Sequence, residues 1–465
     1  MQYTCFGAAQ EVTGSCHLIE VDGRRLLLDC GLIQGTWEEE AKNAEPFPFD
    51  VGSIDVVVLS HAHIDHSGRL PLLWRAGYRG PIYTHPATRD LCSIMLRDAA
   101  YINEREAERN QRRNNKHKTE EPLYDRQDAE AVMQQFLPVQ YGERTNLLPG
   151  IDIRLNDAGH ILGAAIVELW LSGKEGHCKL VYSGDLGHGG RPVLQDPATI
   201  KDADTILMES TYGDRNHRGW AETYDELADI FEQATKSKGN ILIPAFAVGR
   251  TQALLHLFAE NRQAWGLDRW QIFLDSPMAI EATEVYFKYP NLLRKDARTL
   301  WRPGKHNDVT DRLTLTRTTE ESMRLNTITG GAVIVAGSGM CTGGRIRHHL
   351  RYNVGREDCH IIIVGYQEIG TTGRALVDGA KNIRLWGDSY PVAAAIHTVG
   401  GLSAHADQTE LLQWYRAFND SPPVTLVHGE PEAQSALSKE LGKAGAEVRI
   451  AIKGQTMPLP TRKQK

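Results

Sequence analysis

The six residues His61-Ala-His63-Ile-Asp65-His66 carry three imidazoles and one carboxylate, directly after the apolar, β-branched run Asp55-Val-Val-Val-Leu-Ser60. Neutral imidazole nitrogens and a carboxylate suit a borderline cation such as zinc, and so many crowded polar groups are hard to satisfy without a metal. On an extended segment His61 and His63, two apart, point to the same side. Asp65 and His66 can turn toward a second ion if a helix starts near Ser67. Paired divalent ions activate water for hydrolysis, and they need further ligands and a shared anion between them.

Three other places supply candidates. Asp157-Ala-Gly-His160 follows the strand-like Ile151-Asp-Ile-Arg-Leu155, and its glycine lets the backbone bring His160 close to an ion. Leu180-Val-Tyr-Ser-Gly-Asp185 ends an apolar run in a carboxylate, placed at a strand end where it can bridge two cations. Val424-Thr-Leu-Val-His428-Gly-Glu repeats the strand-then-histidine pattern. Singly, a strand-terminal His or Asp is more often a capping or turn residue. Together with the histidine loop, the three describe a metal centre assembled from strand ends.

On these residues the chain resembles the metallo-β-lactamase fold hydrolases, whose signature is HxHxDH followed by further His, Asp and His ligands. Asp29, closing Arg24-Arg-Leu-Leu-Leu-Asp29-Cys-Gly, resembles that family's first motif, a carboxylate that orients the histidine loop. Glu209-Ser-Thr-Tyr-Gly-Asp-Arg-Asn-His217, Ser403-Ala-His405-Ala-Asp407 and Val427-His428-Gly429-Glu430 resemble motifs A, B and C of the β-CASP branch, which cleaves nucleic acids. The resemblance implies one zinc held by His61, His63 and His160 and a second by Asp65, His66 and His428, with Asp185 bridging both. It implies catalytic roles for Asp65, Glu209 and His405, with Glu209 orienting His405 as a general acid. RNA-processing members carry histidine at motif C where DNA-repair members usually carry valine, so His428 implies RNA. The resemblance runs closest to the nuclease subunit of the cleavage and polyadenylation specificity factor and its compact bacterial relatives. It implies single-stranded RNA as substrate and 5′-phosphate and 3′-hydroxyl products, with endonuclease and 5′-exonuclease action both open. The alternatives are a small-molecule metallo-hydrolase of the same fold, a DNA-directed nuclease of this branch, and a non-catalytic RNA-binding scaffold, which should have lost ligands.

The elements that must position these groups can be read from hydrophobic period. Up to about residue 209, short strands (residues 24–29, 55–59, 165–171 and 179–183) dominate, with helical stretches at 68–76 and 86–97. That pattern, with the resemblance, predicts an αββα sandwich. From 210 to 390 a helical pattern at 220–235 is followed by strand 240–244, helix 250–261 and strands 271–274, 332–336 and 360–364. Such alternation predicts an inserted, doubly wound parallel α/β domain. Residues 1–209 and 391–465 then form one domain interrupted by 210–390, because His405 and His428 return to the metal site.

The insertion should supply the substrate cleft. Gly337-Ser338-Gly339-Met-Cys-Thr-Gly-Gly-Arg345-Ile-Arg347 follows a buried strand and precedes a helix, so its amides and two arginines suit phosphate. Similar turns run from Phe246 to Arg250 and from Gly365 to Arg374. Glycine is needed in such turns for backbone reasons alone; three of them bearing arginine favour a groove binding the backbone of single strands. His397, close to motif B, is a further substrate candidate. The mixed-charge segment 104–121 reads as a solvated helix or loop.

Composition is compatible with this reading. A chain of 465 residues exceeds one compact core. A net charge of −7 argues against a general nucleic-acid coat protein but leaves room for a locally basic, metal-lined cleft. Seven scattered cysteines without a CxxC pair describe neither a disulfide framework nor a thiolate zinc site. With no leader pattern and no apolar run of membrane-spanning length, a soluble cytoplasmic protein without a membrane partner is expected. Oligomeric state is open, with a homodimer through the C-terminal region as one expectation.

Overall fold

The protein is described from a computed structural model, over residues 1–112, 121–301, 313–368 and 370–462. By internal packing it divides into two compact units: Met1–Gly189 with Asp196–Asn216 and His405–Lys465, and Gly190–Gln195 with His217–Ala404.

The first unit holds two seven-stranded sheets. One runs Thr456–Pro458, Gln2–Gly7, Cys16–Val21, Arg24–Leu28, Val56–Val58, Ile82–Thr84 and Phe136–Pro138. The other runs Val448–Ile450, Val424–Leu426, Thr205–Met208, Gly176–Tyr182, Ala165–Gly173, Ile151–Asp157 and Arg144–Leu148. The two inner faces share one core, in which Ile19, Leu26, Leu28, Val56 and Val58 from one sheet meet Ile153, Leu155, Val167, Leu169 and Leu180 from the other. Their two-residue spacing is the strand period that turns alternate side chains inward. Leu27 and Val57, pointing the other way, are buried as well, so the central strands read as unbroken apolar runs.

Helical boundaries differ from the sequence expectation at two places. The first helix after the histidine loop spans Ile64–Ser67, so Asp65 and His66 lie on its single turn rather than ahead of it, and Leu70–Arg75 is a separate helix. The helix expected over 86–97 runs Pro86–Arg112, because the charged residues beyond 97 are good helix formers that need no buried face. Residues 113–120 of the mixed-charge segment lie outside the described residues.

The second unit is built on a six-stranded sheet in the order Leu313–Leu315, Gln271–Leu274, Ala332–Ala336, Ile241–Pro244, His360–Ile363 and Ala395–Thr398, with every pairing parallel. The chain starts in the middle, winds to one side and then to the other, as a doubly wound fold does. Ala395–Thr398 pairs with His360–Ile363, so residues 391–404 group with the inserted sheet. The helix Trp220–Ser237 buries Leu227, Ile230, Phe231 and Ala234 at three- and four-residue spacing, the stripe of an amphipathic helix. Among the described residues no helix is long and apolar enough to cross a membrane.

Asp275, fully buried at the end of Gln271–Leu274, ties this unit together. Its carboxylate accepts from Thr316 Oγ1, Ser322 Oγ, Arg345 Nη1 and His349 Nε2 at 2.5–2.7 Å. Burial would raise its pKa, but His349, Ser322 and Thr316 outweigh it and hold the carboxyl at about 2. The stability it contributes is therefore complete above an unfolded carboxylate's pKa of about 4 and is lost as pH falls toward about 2. Asp275→Ala should destabilise the inserted unit by about 3 kcal/mol or more, since it leaves four donors, three of them on buried side chains, without their shared acceptor. Hydrogen exchange of peptides covering 332–350 reads this directly, and unchanged protection would refute the role.

Candidate active site

Three pieces of backbone hold the histidine loop before any side chain acts. Ser15 N donates to Asp65 O, Cys30 N to His66 O and Leu32 N to Ile64 O. Gly31 makes this approach possible: a Cβ there would lie 1.6 Å from Asp65 O. On the far side a Cβ at Gly187 would lie 2.0 Å from Gly159 O, so this glycine lets the loop that follows Asp185 lie against the loop bearing His160.

Asp29 then orients the ligands. It is fully buried and sits at φ +59°, a left-handed conformation that few residues adopt. Its oxygens accept from Ser60 N (2.7 Å), Ser60 Oγ (2.8 Å), His66 Nδ1 (2.8 Å) and Tyr182 OH (2.7 Å). The bond to Nδ1 leaves Nε2 of His66 to face the centre. Ser60 Oγ, 3.1 Å from His61 Nδ1, does the same for His61.

At the centre, Asp185 presents one oxygen to each half of the site. Its Oδ2 lies 3.3 Å from His61 Nε2 and 3.6 Å from His160 Nε2. Its Oδ1 lies 3.2 Å from His66 Nε2 and 3.6 Å from His428 Nε2. His63 Nδ1 is 3.1 Å from His160 Nε2, and Asp65 Oδ2 is 3.4 Å from His428 Nε2. Two donor sets result, His61, His63, His160 and Asp185, and beside them Asp65, His66 and His428, each with its ligand atoms within 4.8 Å of one another.

These residues fit a pair of divalent cations. Nε2 of His61, Nε2 of His66 and both oxygens of Asp185 are buried without a hydrogen-bond partner among the described residues, an arrangement that a shared cation relieves. Burial lowers the pKa of His61, His63 and His160, that of His63 to about 3, so all three are neutral, as ligands must be. Burial would raise Asp65 and Asp185, yet the facing imidazoles hold both below the usual carboxylate range. It also opposes charge on His66, but Asp185 and Asp65 push that ring's pKa well above normal.

His405 stands beside this centre, its Nδ1 3.2 Å from Glu209 Oε2 and 3.9 Å from Asp185 Oδ2. Glu209, fully buried, also accepts from Leu186 N at 2.5 Å. The His405 segment is pinned to the same loop, since Ala406 N donates to Leu186 O at 2.8 Å. Further along, Glu410 accepts from His188 Nδ1, Gly189 N and Asp407 N. One loop thus carries Asp185 and fixes the distance from it to His405.

The chain is similar to known proteins over most of its length. Residues 18–211 match the model of a metallo-β-lactamase superfamily domain, 251–376 that of a Beta-Casp domain, and 389–451 that of a Zn-dependent metallo-hydrolase RNA specificity domain. A ribonuclease of Thermus thermophilus is 40% identical over 459 residues, covering 99% of this chain and 100% of that protein. The chain belongs to the β-CASP branch of the metallo-β-lactamase superfamily. A transcription termination factor of Methanocaldococcus jannaschii is 32% identical over 435 residues, which are 91% of this chain and 66% of that one. A solved structure of a protein of unknown function from Enterococcus faecalis shares the fold, with a TM-score of 0.55, 13% identity and coverage of 98% and 99% of the two chains.

Within the β-CASP unit the residues singled out for substrate divide. Gly339 is in reach of both Phe246 and Gln367: Gln367 Nε2 donates to Gly339 O, and a Cβ at Gly339 would lie 2.8 Å from the Phe246 ring. Ser338 Oγ accepts from Thr342 N and Gly343 N and closes its own turn. Arg345 is turned inward, donating to Asp275, Thr316 O and Arg317 O. The Arg347 guanidinium lies 4.6 Å over the Trp386 ring, Arg374 pairs with Asp378, and His397 Nε2 is 2.8 Å from His360 Nδ1. Arg250 opens the helix Arg250–Glu260.

Sequence reasoning did not single out Tyr182, Ser60 or Asp275. Tyr182 closes the strand Gly176–Tyr182 and Ser60 lies two residues past Val56–Val58, and only the fold brings them to Asp29. Asp29→Ala should weaken metal binding about 10- to 100-fold, read by chelator competition on the folded protein. Unchanged affinity would show that the histidine loop needs no orienting carboxylate.

Proposed function

We propose that the chain is a zinc-dependent ribonuclease that hydrolyses phosphodiester bonds of single-stranded RNA, leaving 5′-phosphate and 3′-hydroxyl ends. The observation that carries the reading is the division of Asp185, one oxygen toward each of two donor sets, with His405 and Glu209 alongside. His61, His63 and His160 would hold one ion and Asp65, His66 and His428 the other, with Asp185 shared. When bound, two such ions acidify water and neutralise charge on the phosphate oxygens.

The chain's own residues do the rest. As water adds to phosphorus the P–O3′ bond breaks, and O3′ needs a proton. Glu209 accepts from Nδ1 of His405, fixing the ring so that Nε2 delivers that proton as general acid. Asp65, kept ionised by His66 and His428, would orient the attacking water by accepting a hydrogen bond from it, the water's proton passing to solvent. RNA as substrate is supported by the names of the Thermus relative and of the family model over 389–451, and by histidine at position 428. Arg250, Ser338, Gly339, Arg347, Arg374 and His397 would line the strand's path, and Arg345 would shape it through Asp275. A cytoplasmic setting belongs to the same reading, since all seven cysteines are buried and unpaired, a state that a reducing compartment maintains.

End-labelled single-stranded RNA, with matching DNA alongside, tests the reading on protein whose zinc has been counted by mass spectrometry. His405→Ala should lower the cleavage rate by about 10²- to 10⁴-fold with zinc content unchanged, and Asp65→Ala should lose both activity and metal. Internal fragments mean endonuclease action, and mononucleotides from one end exonuclease action. Loss of zinc in His405→Ala would refute the separation of roles; absence of RNA cleavage by zinc-loaded wild type would refute the ribonuclease.

A further inference from the structure

In the six-stranded sheet, Ile241–Pro244 and His360–Ile363 are adjacent and parallel. The chain leaves the first toward Gln271–Leu274 on one side and the second toward Ala395–Thr398 on the other. Such a switch point opens a crevice beyond the carboxyl ends of the two strands, where doubly wound sheets bind ligands.

An exposed aromatic ring stands at each lip. Phe246, two residues past the first strand, is 42% exposed and is the one exposed phenylalanine among the described residues. Tyr366, three residues past the second, is 54% exposed. A single exposed ring is ordinary. Here the backbone beneath both is fixed: Phe246 O accepts from Thr251 N and Oγ1, and Tyr366 O from the buried Gln367 amide, which also bonds Gly339 O and Gly365 O. Gly339 leaves room for the Phe246 ring, and the Arg250 guanidinium reaches 3.9 Å from where a Gly365 Cβ would be. Exposed aromatic rings carried on fixed backbone, with an arginine beside Gly365, at a crevice of a nucleic-acid-cleaving fold, suit flat, unpaired bases.

We propose that Phe246 and Tyr366 form a base-stacking subsite for single-stranded RNA at this switch point. The inference rests on the ribonuclease reading and adds where bases, rather than phosphates, are held.

The test measures binding of fluorescein-labelled oligoadenylate of about twelve nucleotides, and of an abasic strand of equal length, to zinc-loaded His405→Ala protein. Adding Phe246→Ala and Tyr366→Ala should weaken oligoadenylate binding roughly ten-fold or more per ring. Abasic binding and the salt dependence should not change, because phosphate contacts remain. Phe246→Trp and Tyr366→Phe should retain affinity. If the alanine variants bind oligoadenylate as tightly as their parent does, the rings serve a protein contact and the subsite is overturned while the ribonuclease stands. If the parent binds neither strand even at low salt, the RNA reading falls and the subsite with it.

Discussion

Charge buried without water governs the first unit. Asp29, Asp185 and Glu209 are essentially inaccessible to solvent, at the rim of a core made of leucine, isoleucine and valine. A carboxylate in such a place costs several kcal/mol unless it is compensated. Asp29 is compensated inside the protein, by four donors. Asp185 accepts no hydrogen bond among the described residues and meets only imidazole nitrogens, at 3.2–3.6 Å, which must be neutral when they bind metal. The two aspartates lie on opposite sides of the His66 ring, Asp29 building the site and Asp185 placed for two cations to share.

That division explains the tightness of the backbone around the centre. Ligands on flexible loops would spread apart to relieve repulsion and find water. Here Gly31 and Gly187 allow main chain to press against main chain, and carbonyls of Ile64, Asp65, His66 and Leu186 are bonded from neighbouring segments. The histidines cannot retreat. Glu209 extends the same device to His405, whose position follows from the loop that carries Asp185 rather than from its own neighbours in sequence.

The second unit solves a different problem with a similar part. Asp275 is as buried as Asp29, and it too gathers four donors, but they come from segments that surround a glycine-rich turn. It draws Arg345 inward, away from the exposed rim of that turn. An arginine beside glycines reads from sequence as a phosphate ligand, and its internal partner lies seventy residues away in the chain. The exposed aromatic rings were passed over for the converse reason: a lone Phe or Tyr in a loop carries no periodic signal.

Spacing alone determined a good deal. HxHxDH after a β-branched run, and His160, Asp185 and His428 each just past a strand, are local patterns, and a strand end is where a buried sheet delivers its side chains to solvent. The residues that converge on Asp185 could therefore be named before any contact was known. Helix and strand alternation likewise announced a parallel inserted sheet, because period is a property of neighbours in the chain. Tertiary structure decided the rest: which oxygen of Asp185 faces which imidazoles, that Tyr182 and Ser60 serve Asp29, that 391–404 joins the inserted sheet, and that Arg345 answers to Asp275. Each is a pairing across tens to hundreds of residues, set by which strands lie side by side. No local period encodes that adjacency, since it follows from burying two sheets' apolar faces at once.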